Sequence, residues 1–448
     1  MTKVTVLIPT LNSISYMKEC LESVIAQTLQ ELEILVIDAG STDGTLELVE
    51  TYQQNDGRIQ IVHSDMRSYG YQLNKGIALA KGHYIGVVES DDVIENDMYE
   101  KLYNIAVKED LDYAKGNFAN YAVTGNNQEL ILPETTIFQG IYNKVFCPYE
   151  YKHIYIEDFY LWRGIYKKEF LEKNHILLHE SAGAAYQDIG FLYQVVTKAQ
   201  RVIYLDKCFY KYRRNNSNSS TYSSKAFSYL ANEYEYVIEN YIRNETEDIN
   251  WTTYFYYKMF IQFRSRVRMI AFYERNIVAV ENDIIAIRDM LADAYEKQKI
   301  NLSVWDMQAQ MDFFILLEDY RTYLEYYRAQ MKGKKYCILN LIDNLKRYHE
   351  IVLVSDSKML PFVYTLLNTY SIDTITSICD NDKMKWDKQR MGLNIISIEE
   401  ACMQMKEKAY VILSTRAKKE LREQLKALGV ADEQIYSYEF GTDWFLLS

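Results

Sequence analysis

The sequence predicts an α/β protein with a mainly parallel sheet, followed by a helical region and a small second α/β domain. Over about the first 220 residues, short apolar runs alternate with stretches of helical spacing, which favours parallel strands covered by helices. From about residue 221 the spacing is helical, and the alternation returns after residue 332. The predicted domains are therefore 1–220, 221–332 and 333–448.

The composition agrees with a globular protein of this size. At about 150 residues per domain, the 448 residues correspond to about three domains. The 50 basic and 62 acidic side chains give a formal net charge of −12, which argues against a nucleic-acid coat protein. Hydrophobic residues make up 48% and charged residues 25% of the chain, so a disordered or collagen-like chain is excluded.

The six cysteines lie without C-x-x-C spacing, so the sequence predicts neither a zinc site nor a disulfide framework. The N-terminal apolar run is too short for a secretory signal. No stretch reaches the ~18 to 20 uncharged apolar residues of a membrane span. We therefore expect a cytoplasmic protein.

The predicted strands of the first domain end in polar segments. The apolar run 3–8 is followed by Pro9–Asn12, and the next apolar run ends at Asp38. Two further helix and strand pairs lead to Val88, which is followed by acidic residues. Because ligands bind at the carboxyl ends of parallel strands, we expect these three segments to form one site.

The segment after Val88 contains three carboxylates, Glu89, Asp91 and Asp92. Like charges this close together cost energy unless a cation compensates them. Mg²⁺ and Mn²⁺ bind one or two protein carboxylates and complete their coordination with water and phosphate oxygens. The segment therefore indicates a metal bound to a diphosphate. The alternative is a surface turn in which Asp91 or Asp92 caps the following helix.

The two later domains carry weaker signals. Tyr and Phe recur at helical spacing in the helical region, which is typical of a bundle core, although a membrane-surface or partner-binding face would show the same pattern. The basic segment 331–335 is predicted to be a hinge. Neither G-x-G-x-x-G nor G-x-x-x-x-G-K-[ST] follows it, so a standard dinucleotide site is disfavoured.

Taken together, the segments of the first domain resemble the inverting glycosyltransferases of family 2, which have the GT-A fold. The resemblance rests, in chain order, on VTVLIPTLN, ILVIDAGSTDGT, NKGIALAKGHYIGVVESDD and QDIGF. It implies a nucleotide-sugar donor, usually UDP-linked, whose base and ribose are held by Pro9, Thr10, Asn12 and Asp38. Ala39 departs from the pattern, because many members have a second acid there.

The same resemblance implies roles for the acidic residues. Asp91 and Asp92 would hold Mn²⁺ or Mg²⁺ with the diphosphate, whereas Glu89 departs from the family Asp-x-Asp and would contact hydroxyls of the donor sugar. Asp188 would be the general base that takes the proton of the attacking hydroxyl, with Gln187 in place of the first acid of that element. Taken alone, Asp188 would be a carboxylate at a helix N-terminus.

Three residues near the predicted site have a structural alternative. Asn74 matches the family helix that runs beside the donor, but it also fits the polar face of an amphipathic helix. Arg67 would meet the donor phosphates or remain an ordinary surface cation. Asp43 is better explained as a cap of the helix that follows it.

Basic residues and histidines downstream are also ambiguous. Arg213 and Arg214 lie in the polar segment 210–217, which suits either a loop that closes over a diphosphate or a basic linker between domains. His175 and His179 are four residues apart, but an apolar edge strand explains this segment better than a metal site does.

The last domain loosely resembles the small Rossmann-like domains found near sugar-modifying enzymes, with Ser355–Ser357 in place of their glycine turn. We therefore expect a regulatory, dimerising or partner-docking role for this domain rather than ligand binding. A homodimer is compatible with this expectation.

The predicted function is that of a hexosyltransferase that moves a sugar from a UDP-sugar to a hydroxyl with inversion. The expected acceptor is a lipid-linked, protein-linked or cell-surface glycan, and no nucleic-acid partner is expected. The expected location is the cytoplasm, including the inner face of the membrane if the helical or C-terminal domain docks there or on a protein partner.

Two other functions are considered. A non-catalytic scaffold for a glycosylation complex is indicated only by Ala39, Glu89 and Gln187. A nucleotidyltransferase would need a Gly-rich, basic loop after its first strand, and Pro9–Asn12 is not such a loop.

Overall fold

The structure is a computed structural model of the chain. It describes residues 1–123, 129–133, 140–214, 216, 225–243, 249–357, 359–403, 408–414 and 416–441. The chain forms two compact units, Met1–Val267 with Asn276–Tyr323 and Arg268–Arg275 with Leu324–Ser448. Most of the helices predicted as a separate domain therefore share one unit with the large sheet, which differs from the predicted division at residue 220.

The first unit combines a large sheet with helices. Its strands are β1 (Val4–Thr10), β2 (Leu32–Asp38), β3 (Ile59–His63), β4 (Tyr84–Val87), β5 (Val93–Ile94), β6 (Tyr113–Val123), β7 (Glu129–Pro133), β8 (Gly164–Lys167) and β9 (Val202–Arg213). Its helices are α1 (Ile14–Ile25), α2 (Thr45–Asn55), α3 (Tyr69–Leu79), α4 (Met98–Lys108), α5 (Ile154–Glu157), α6 (Lys168–Lys173), α7 (Asp188–Lys198), α8 (Ala226–Val237), the greater part of α9 (Ile249–Phe272), α10 (Glu281–Glu296) and α11 (Met307–Glu318).

The described strands of this unit form a sheet in the order β3-β2-β1-β4-β8-β6-β9-β5, with β7 paired to β6. Strands β1 to β4 are parallel, as the alternating pattern predicts. Thr10 pairs with Asp38 at the carboxyl ends of β1 and β2, and β4 ends beside them. The three polar segments therefore lie at one edge of the sheet, as the sequence predicts. That they form one site stays a prediction.

The other half of the sheet is mixed. β8 runs antiparallel to β4 and β6, and β9 runs parallel to β6. The short β5 pairs with the end of β9, where Val93 faces Lys211 and Ile94 faces Tyr210. This pairing holds the acidic segment after β4 against the last residues of β9.

Helix α3 packs closely on the parallel half of the sheet. A Cβ at Gly76 would lie 2.7 Å from Ile37 Cδ1 and 2.8 Å from Leu7 Cδ2. Only a residue without a side chain lets the helix approach β1 and β2 at this point. The position of α3 is therefore fixed relative to the carboxyl ends of these strands.

The aromatic residues of the helical region form a core, which confirms the preferred interpretation of the Tyr and Phe pattern. Members of this core that are fully buried include Tyr234, Phe255, Phe260, Phe263, Phe313 and Tyr323. Burial at helical spacing accounts for these residues without a membrane or a partner. Met307, Met311 and Phe314 on α11 are exposed and stand outside this core.

The segment predicted as a hinge is helical. α12 (Tyr320–Leu345) runs without a break through 331–335, and Gly333 is exposed with no atom within 4 Å of an added Cβ. Met331, Ile338 and Leu345 are buried along one side of α12. The burial of these apolar side chains stabilises the helix by more than the roughly 1 kcal/mol that a glycine costs within it. The helix therefore continues through the composition change at 332.

The second unit contains a small α/β sheet, as predicted. After α12 its elements are β10 (Glu350–Val354), α13 (Leu360–Thr369), β11 (Ile375–Cys379), β12 (Gln389–Arg390), β13 (Leu393–Ile396), α14 (Ile398–Ala401), β14 (Lys408–Ile412), α15 (Lys418–Ala427) and β15 (Ile435–Ser437). The described strands have the order β12-β13-β11-β10-β14-β15 and are parallel except for β12.

The turn after β10 replaces the expected glycine turn with an ion-pair cluster. Ser355 has a left-handed φ of 82°, and the N–H of Asp356 donates to Asp380 (2.7 Å). Arg390 pairs with Asp356 at 2.6 Å, and Lys385 pairs with Asp380 at 3.1 Å. These charges neutralise each other within the turn. Within the described ranges, no helix is long and apolar enough to cross a membrane.

Candidate active site

The ends of β1 and β2 form the floor of the candidate site. The buried Asp38 carboxylate accepts hydrogen bonds from the N–H groups of Gly40 (2.9 Å) and Ser41 (3.1 Å) and from the Ser41 hydroxyl (2.5 Å). Asn12 has a φ of 54°; its N–H donates to Ser41 Oγ, and its Oδ1 accepts the N–H of Thr42. Asp38 and Asn12 therefore hold these two loops in shape. Their contacts to the base and ribose of the nucleotide-sugar stay predictions.

Three more predicted contacts lie at the same edge. Pro9 pairs with Ile37 inside the sheet, and the Thr10 carbonyl accepts from Gln72 Nε2 (3.1 Å). The Thr10 hydroxyl is buried and has no hydrogen-bond partner among the described atoms, which costs free energy that a bound ligand would recover. Arg67 is exposed, with Nη2 4.0 Å from the place of a Cβ on Gly40.

Asp43 caps helices, as the sequence predicts. Its Oδ2 accepts the N–H of Ile14 at the start of α1 (3.1 Å), and its Oδ1 accepts the N–H of Thr45 at the start of α2 (3.1 Å). One carboxylate therefore fixes the first turns of both helices next to the sheet edge.

Asp92 is anchored from behind by β9. It is fully buried; its Oδ1 accepts the N–H of Arg213 (2.7 Å), and its Oδ2 accepts the hydroxyl of Tyr210 (2.8 Å). Burial raises the pKa of Asp92 well above its usual range, and the charge of Asp91 adds to this. Because both oxygens are engaged, Asp92 does not fit the predicted role of a metal ligand. The helix-capping alternative is also wrong, because α4 begins only at Met98.

Arg213 is a fixed anchor rather than part of a mobile loop. Its Nε donates to the carbonyl of Asp91 (2.6 Å), and its Nη2 pairs with Glu19 (2.5 Å). The guanidinium is buried between the rings of Tyr16 and Tyr121, at 4.8 and 4.7 Å from their centroids. The predicted contact of Arg213 with a diphosphate is therefore not supported, because its Nε and Nη2 donate to Asp91 and Glu19.

Arg214 remains a candidate for phosphate binding. It is half-buried, its Nε donates to Asn120 Oδ1 (2.5 Å), and its guanidinium lies 4.3 Å from the ring centroid of Tyr212. Residue 215 and residues 217–224 of the predicted loop lie outside the described residues.

The Asp91 and Glu89 carboxylates have hydrogen-bond partners other than these anchors. Asp91 Oδ2 accepts from Asn216 Nδ2 (2.7 Å), and no described residue donates a hydrogen bond to its Oδ1. Glu89 Oε1 accepts from the Tyr69 hydroxyl (2.5 Å). Burial raises the pKa of Glu89 to about 8; the Tyr69 hydrogen bond opposes this rise, and the charges of Asp91 and Asp188 add to it. The charges of Asp91 and Asp188 therefore lie close enough to act on Glu89.

Asn74 links α3 to the segment that leads to α7. Its Nδ2 donates to the carbonyl of Leu178 and to Glu180 Oε1, both at 2.9 Å, and its Oδ1 accepts the N–H of Leu178 (2.9 Å). At Gly70 an added Cβ would lie 1.9 Å from the carbonyl oxygen of His179, so the two segments touch. The predicted donor contact of Asn74 is corrected, since its amide is fully used in this link.

Asp188 is the first residue of α7 and is partly buried. Burial raises its pKa to about 7, Lys258 opposes the rise and Glu233 adds to it. Tyr186, two residues earlier, has a left-handed φ of 70°, which is uncommon for a bulky residue and is often found at functional sites. A carboxylate whose pKa lies near 7 is suited to general-base catalysis at physiological pH.

Sequence reasoning missed three residues that support these acids: Tyr69, Tyr210 and Lys258. Tyr69 and Tyr210 resemble ordinary sheet and helix aromatics, and nothing in their local sequence identifies their carboxylate partners. Lys258 had a signal, because it is a lone cation in the aromatic stretch 254–260 of α9. Buried lysines are rare and need partners, so a lone lysine on an apolar face predicts a nearby carboxylate.

No histidine site is supported by the arrangement. His179 Nδ1 lies 2.9 Å from Glu233 Oε2, and its ring stacks on Tyr236 at 3.7 Å. His175 and His179 are in irregular backbone rather than the expected edge strand. In the described part of the chain, no group of three His, Cys, Asp or Glu residues is arranged to hold a metal ion.

The comparisons with known proteins agree with this geometry. Residues 5–185 match the family model Glycosyl transferase family 2. The chain is 29% identical over 225 residues to the glycosyltransferase GlyG of Streptococcus pneumoniae serotype 4, covering 48% of this chain and 72% of that protein. It is 26% identical over 306 residues to the uncharacterized glycosyltransferase YibD of Escherichia coli K12, covering 65% of this chain and 84% of YibD.

A similar fold is found in the crystal structure of S. aureus TarS in complex with UDP-GlcNAc. The TM-score is 0.54 at 18% identity, over 75% of this chain and 92% of the TarS chain. The first unit therefore has the GT-A fold, as the sequence predicts. Residues 5–185 therefore form a glycosyltransferase family 2 domain, and the similarity to proteins named glycosyltransferases identifies the chain as a glycosyltransferase.

Proposed function

We propose that this glycosyltransferase moves a sugar from a UDP-sugar to a hydroxyl group of a glycan, with inversion and with the help of Mn²⁺ or Mg²⁺. The single observation that supports this most is that the acidic segment with Glu89 and Asp91 follows β4 at the carboxyl edge of the sheet, beside the ends of β1 and β2. The charge of Asp188, the first residue of α7, acts on Glu89. The similarity to TarS, which was crystallised with UDP-GlcNAc, supports a UDP-linked donor.

The reaction needs a base on one side of the sugar and charge stabilisation on the other. The acceptor oxygen forms a bond to the anomeric carbon, and the bond from this carbon to the diphosphate breaks, with its electron pair leaving on UDP. Asp188 takes the proton of the attacking hydroxyl. Because attack and departure occur on opposite faces, one base is sufficient and the configuration inverts.

The residues present fit a divalent cation with few protein ligands. Asp91 would hold it through Oδ1, to which no described residue donates, and water and phosphate oxygens would complete the coordination. A bound cation supplies positive charge that stabilises the departing diphosphate. Asp92 would support Asp91 by holding the turn. The proposed donor contacts are Pro9, Thr10, Asn12, Asp38, Arg67, Glu89 and Arg214.

We also propose a lipid-linked, protein-linked or cell-surface glycan as the acceptor. We place the reaction in the cytoplasm because the spacing of the six cysteines predicts no disulfide framework. Peripheral attachment at the inner face of the membrane, and assembly as a homodimer, are parts of the same proposal.

A thermal-shift experiment tests the donor. We expect UDP and UDP-GlcNAc to raise the Tm in the presence of Mn²⁺ and to have a smaller effect with EDTA, because a ligand that binds only the folded state stabilises it. Equal shifts with and without metal would contradict metal-assisted binding.

A scaffold without catalysis would give a different result. It would bind UDP-GlcNAc with the same Tm shift, but UDP release would be the same in the wild type, in Asp188→Asn and in buffer. Release that depends on Asp188 therefore separates an enzyme from a scaffold.

A further inference from the structure

The segment 181–187, which leads into α7, is closed by the side chain of Gln187. Gln187 is 1% exposed, and its Nε2 lies within hydrogen-bonding distance of three acceptors: Ser181 Oγ (3.0 Å), the Gly183 carbonyl (3.2 Å) and the Ser181 carbonyl (3.4 Å). The two hydrogens of the amide nitrogen are shared among these acceptors. The side chain therefore ties the end of the segment to its beginning.

Gln187 does not cap the helix that it precedes. A side chain at this position usually accepts a backbone N–H of the first helical turn, whereas Gln187 makes no such contact and donates backward along the chain. Its Oε1 is buried without a hydrogen-bond partner among the described atoms, which costs free energy. The contacts of Gln187 therefore shape the segment before α7 rather than α7 itself.

The backbone of this segment depends on such contacts. Gly183 has a φ of 96° and Tyr186 has a φ of 70°, so both residues are left-handed. For a tyrosine this conformation is costly and persists only where the surrounding structure enforces it. The amide of Gln187, which follows Tyr186 directly, enforces the turn by binding back to Gly183.

The closed segment is joined to the beginning of α3. Ser68 and Gly183 form a parallel bridge between the two parts of the chain. The N–H of Tyr69 donates to the Gly183 carbonyl (2.9 Å), and the N–H of Gly183 donates to the Arg67 carbonyl (3.1 Å). The carbonyl that accepts from Tyr69 is the same one that accepts from Gln187. Gln187 therefore acts at the point where the segment meets α3.

Tyr69 extends this link to the acidic turn after β4. Its hydroxyl donates to Glu89 Oε1 (2.5 Å), and Glu89 is a proposed contact of the donor sugar. At the other end, Asp188 follows Gln187 directly and is the first residue of α7. A continuous series of covalent and hydrogen bonds therefore joins the proposed base to the proposed donor contact, through Gln187, Gly183 and Tyr69.

We propose that Gln187 is a positioning residue for sugar transfer. By holding the segment 181–187 against the beginning of α3, it sets the place of Asp188 relative to Glu89. The role of Asp188 as the base rests on the proposed function. A base acts only within hydrogen-bonding reach of the attacking hydroxyl, and a misplacement of about 1 Å can cost about 10²-fold in rate.

Gln194, on α7, offers a matched control. It is 2% exposed, its Nε2 donates to the carbonyls of Leu177 (2.8 Å) and Gly190 (3.1 Å), and its Oε1 also has no partner among the described atoms. These contacts lie outside the segment 181–187. Gln187→Met and Gln194→Met therefore remove the same kind of buried amide, but only the first opens the segment.

The first test measures steady-state release of UDP from UDP-GlcNAc with Mn²⁺. In Gln187→Met, we expect kcat to fall by about tenfold or more while KM for UDP-GlcNAc changes by less than about threefold, because the base is displaced and the donor contacts remain. Gln194→Met should keep kcat within about twofold of the wild type. An equal loss of kcat in both variants would reveal a purely structural effect and overturn the proposal.

Hydrogen exchange tests the same contact without catalysis. The N–H groups of Tyr69 and Gly183 should exchange about tenfold faster or more in Gln187→Met than in the wild type, because opening of the segment exposes them to water. Both should exchange at the wild-type rate in Gln194→Met. Mass spectrometry with fragmentation to single residues measures these rates. Unchanged exchange in Gln187→Met would contradict the proposal.

Ser181→Ala is the second variant, for the case that Gln187→Met does not fold. Ser181 is partly exposed, and the change removes one acceptor of Gln187 Nε2 while the two carbonyls remain. We expect kcat to fall by about threefold with KM unchanged, which corresponds to the loss of one hydrogen bond. Wild-type kcat together with wild-type exchange at Gly183 would overturn the proposal.

Asp188→Asn separates this proposal from the proposed function. If Asp188→Asn retained wild-type UDP release, the proposed function would fail, and the positioning of a base would fail with it. If Asp188→Asn were inactive while Gln187→Met exchanged faster and kept kcat within about twofold of the wild type, only the role of Gln187 would be wrong. Faster exchange together with a loss of kcat confined to Gln187→Met would support both.

Discussion

At the scale of single residues, Asp188 carries the most direct prediction. Asp188→Asn removes the proton acceptor with almost no change in size. We expect kcat to fall by about 10²- to 10⁴-fold, because general-base assistance has this magnitude, while the donor-induced Tm shift persists. Steady-state UDP release together with thermal shift checks this. A variant within twofold of the wild type would exclude Asp188 as the base.

Asp91 and Asp92 are adjacent but should respond differently to substitution. Asp91→Ala should abolish the Mn²⁺-dependent part of the UDP-induced Tm shift with little loss of stability. Asp92→Ala leaves the N–H of Arg213 and the hydroxyl of Tyr210 unpaired in a buried site, at a cost of about 1 to 3 kcal/mol each. Urea unfolding of both variants measures this contrast, and equal destabilisation would contradict it.

The sequence could place some of these residues but not others. Asp38, Asp91 and Asp188 follow or begin predicted elements, so topology brings them to one edge. Asp92 and Arg213 looked like functional groups in the sequence. They are 121 residues apart in the chain, so their hydrogen bond to each other is visible only in three dimensions. A motif gives residue type and spacing, but not which side chain is already satisfied.

At the scale of elements, the contact between α3 and the segment before α7 positions the two sides of the site. Gly70→Ala would place a Cβ 1.9 Å from a backbone oxygen, so the elements must separate. We expect a loss of about 1 to 3 kcal/mol or more in the free energy of unfolding. Gly57→Ala is the matched control, since no atom lies within 4 Å of its added Cβ.

Thermal unfolding of these two glycine variants checks the prediction. A loss of stability at Gly70 with a neutral effect at Gly57 would support the close contact. Similar effects at both positions would point to backbone entropy alone, because alanine also reduces the freedom of the unfolded chain.

Strands and helices were predicted best where the spacing of apolar residues is regular. The parallel strands and the aromatic helices follow directly from period and burial. The predicted hinge at 331–335 was wrong. A glycine among lysines is typical of a linker, but the buried Met331 and Ile338 continue the helix through this segment. Local composition is a weak signal when apolar spacing on either side is continuous.

At the scale of the whole molecule, the buried acid makes stability depend on pH. The pKa of Asp188 is raised to about 7 in the folded protein, against about 4 in an unfolded chain. Between these values the folded state binds more protons than the unfolded state, so this group lowers stability as pH rises from about 4 to 7.

Replacing Asp188 by Asn should remove this contribution. We expect Asp188→Asn to have a higher Tm than the wild type at pH 8, with the difference shrinking as pH falls through 7. Differential scanning fluorimetry across pH measures it. A Tm difference that did not change with pH would show that Asp188 ionises normally.

The sequence predicts the α/β and helical regions of the chain, but the two compact units have other boundaries than the predicted domains. The α/β pattern at each end of the chain is local and therefore visible in the sequence. The inclusion of most helices in the first unit depends on contacts such as Lys258 with Tyr155, which join positions 103 residues apart. Composition gives no signal for pairings at this distance.

The anchoring of the acidic turn by β9 has a consequence for refolding. The turn reaches its final position only when Asp92 meets Arg213, and contacts between such distant positions close late because they carry a large loop-closure cost. After dilution from urea, recovery of helical circular dichroism should therefore precede recovery of UDP binding. The acidic turn would be among the last parts of the first unit to acquire its native shape.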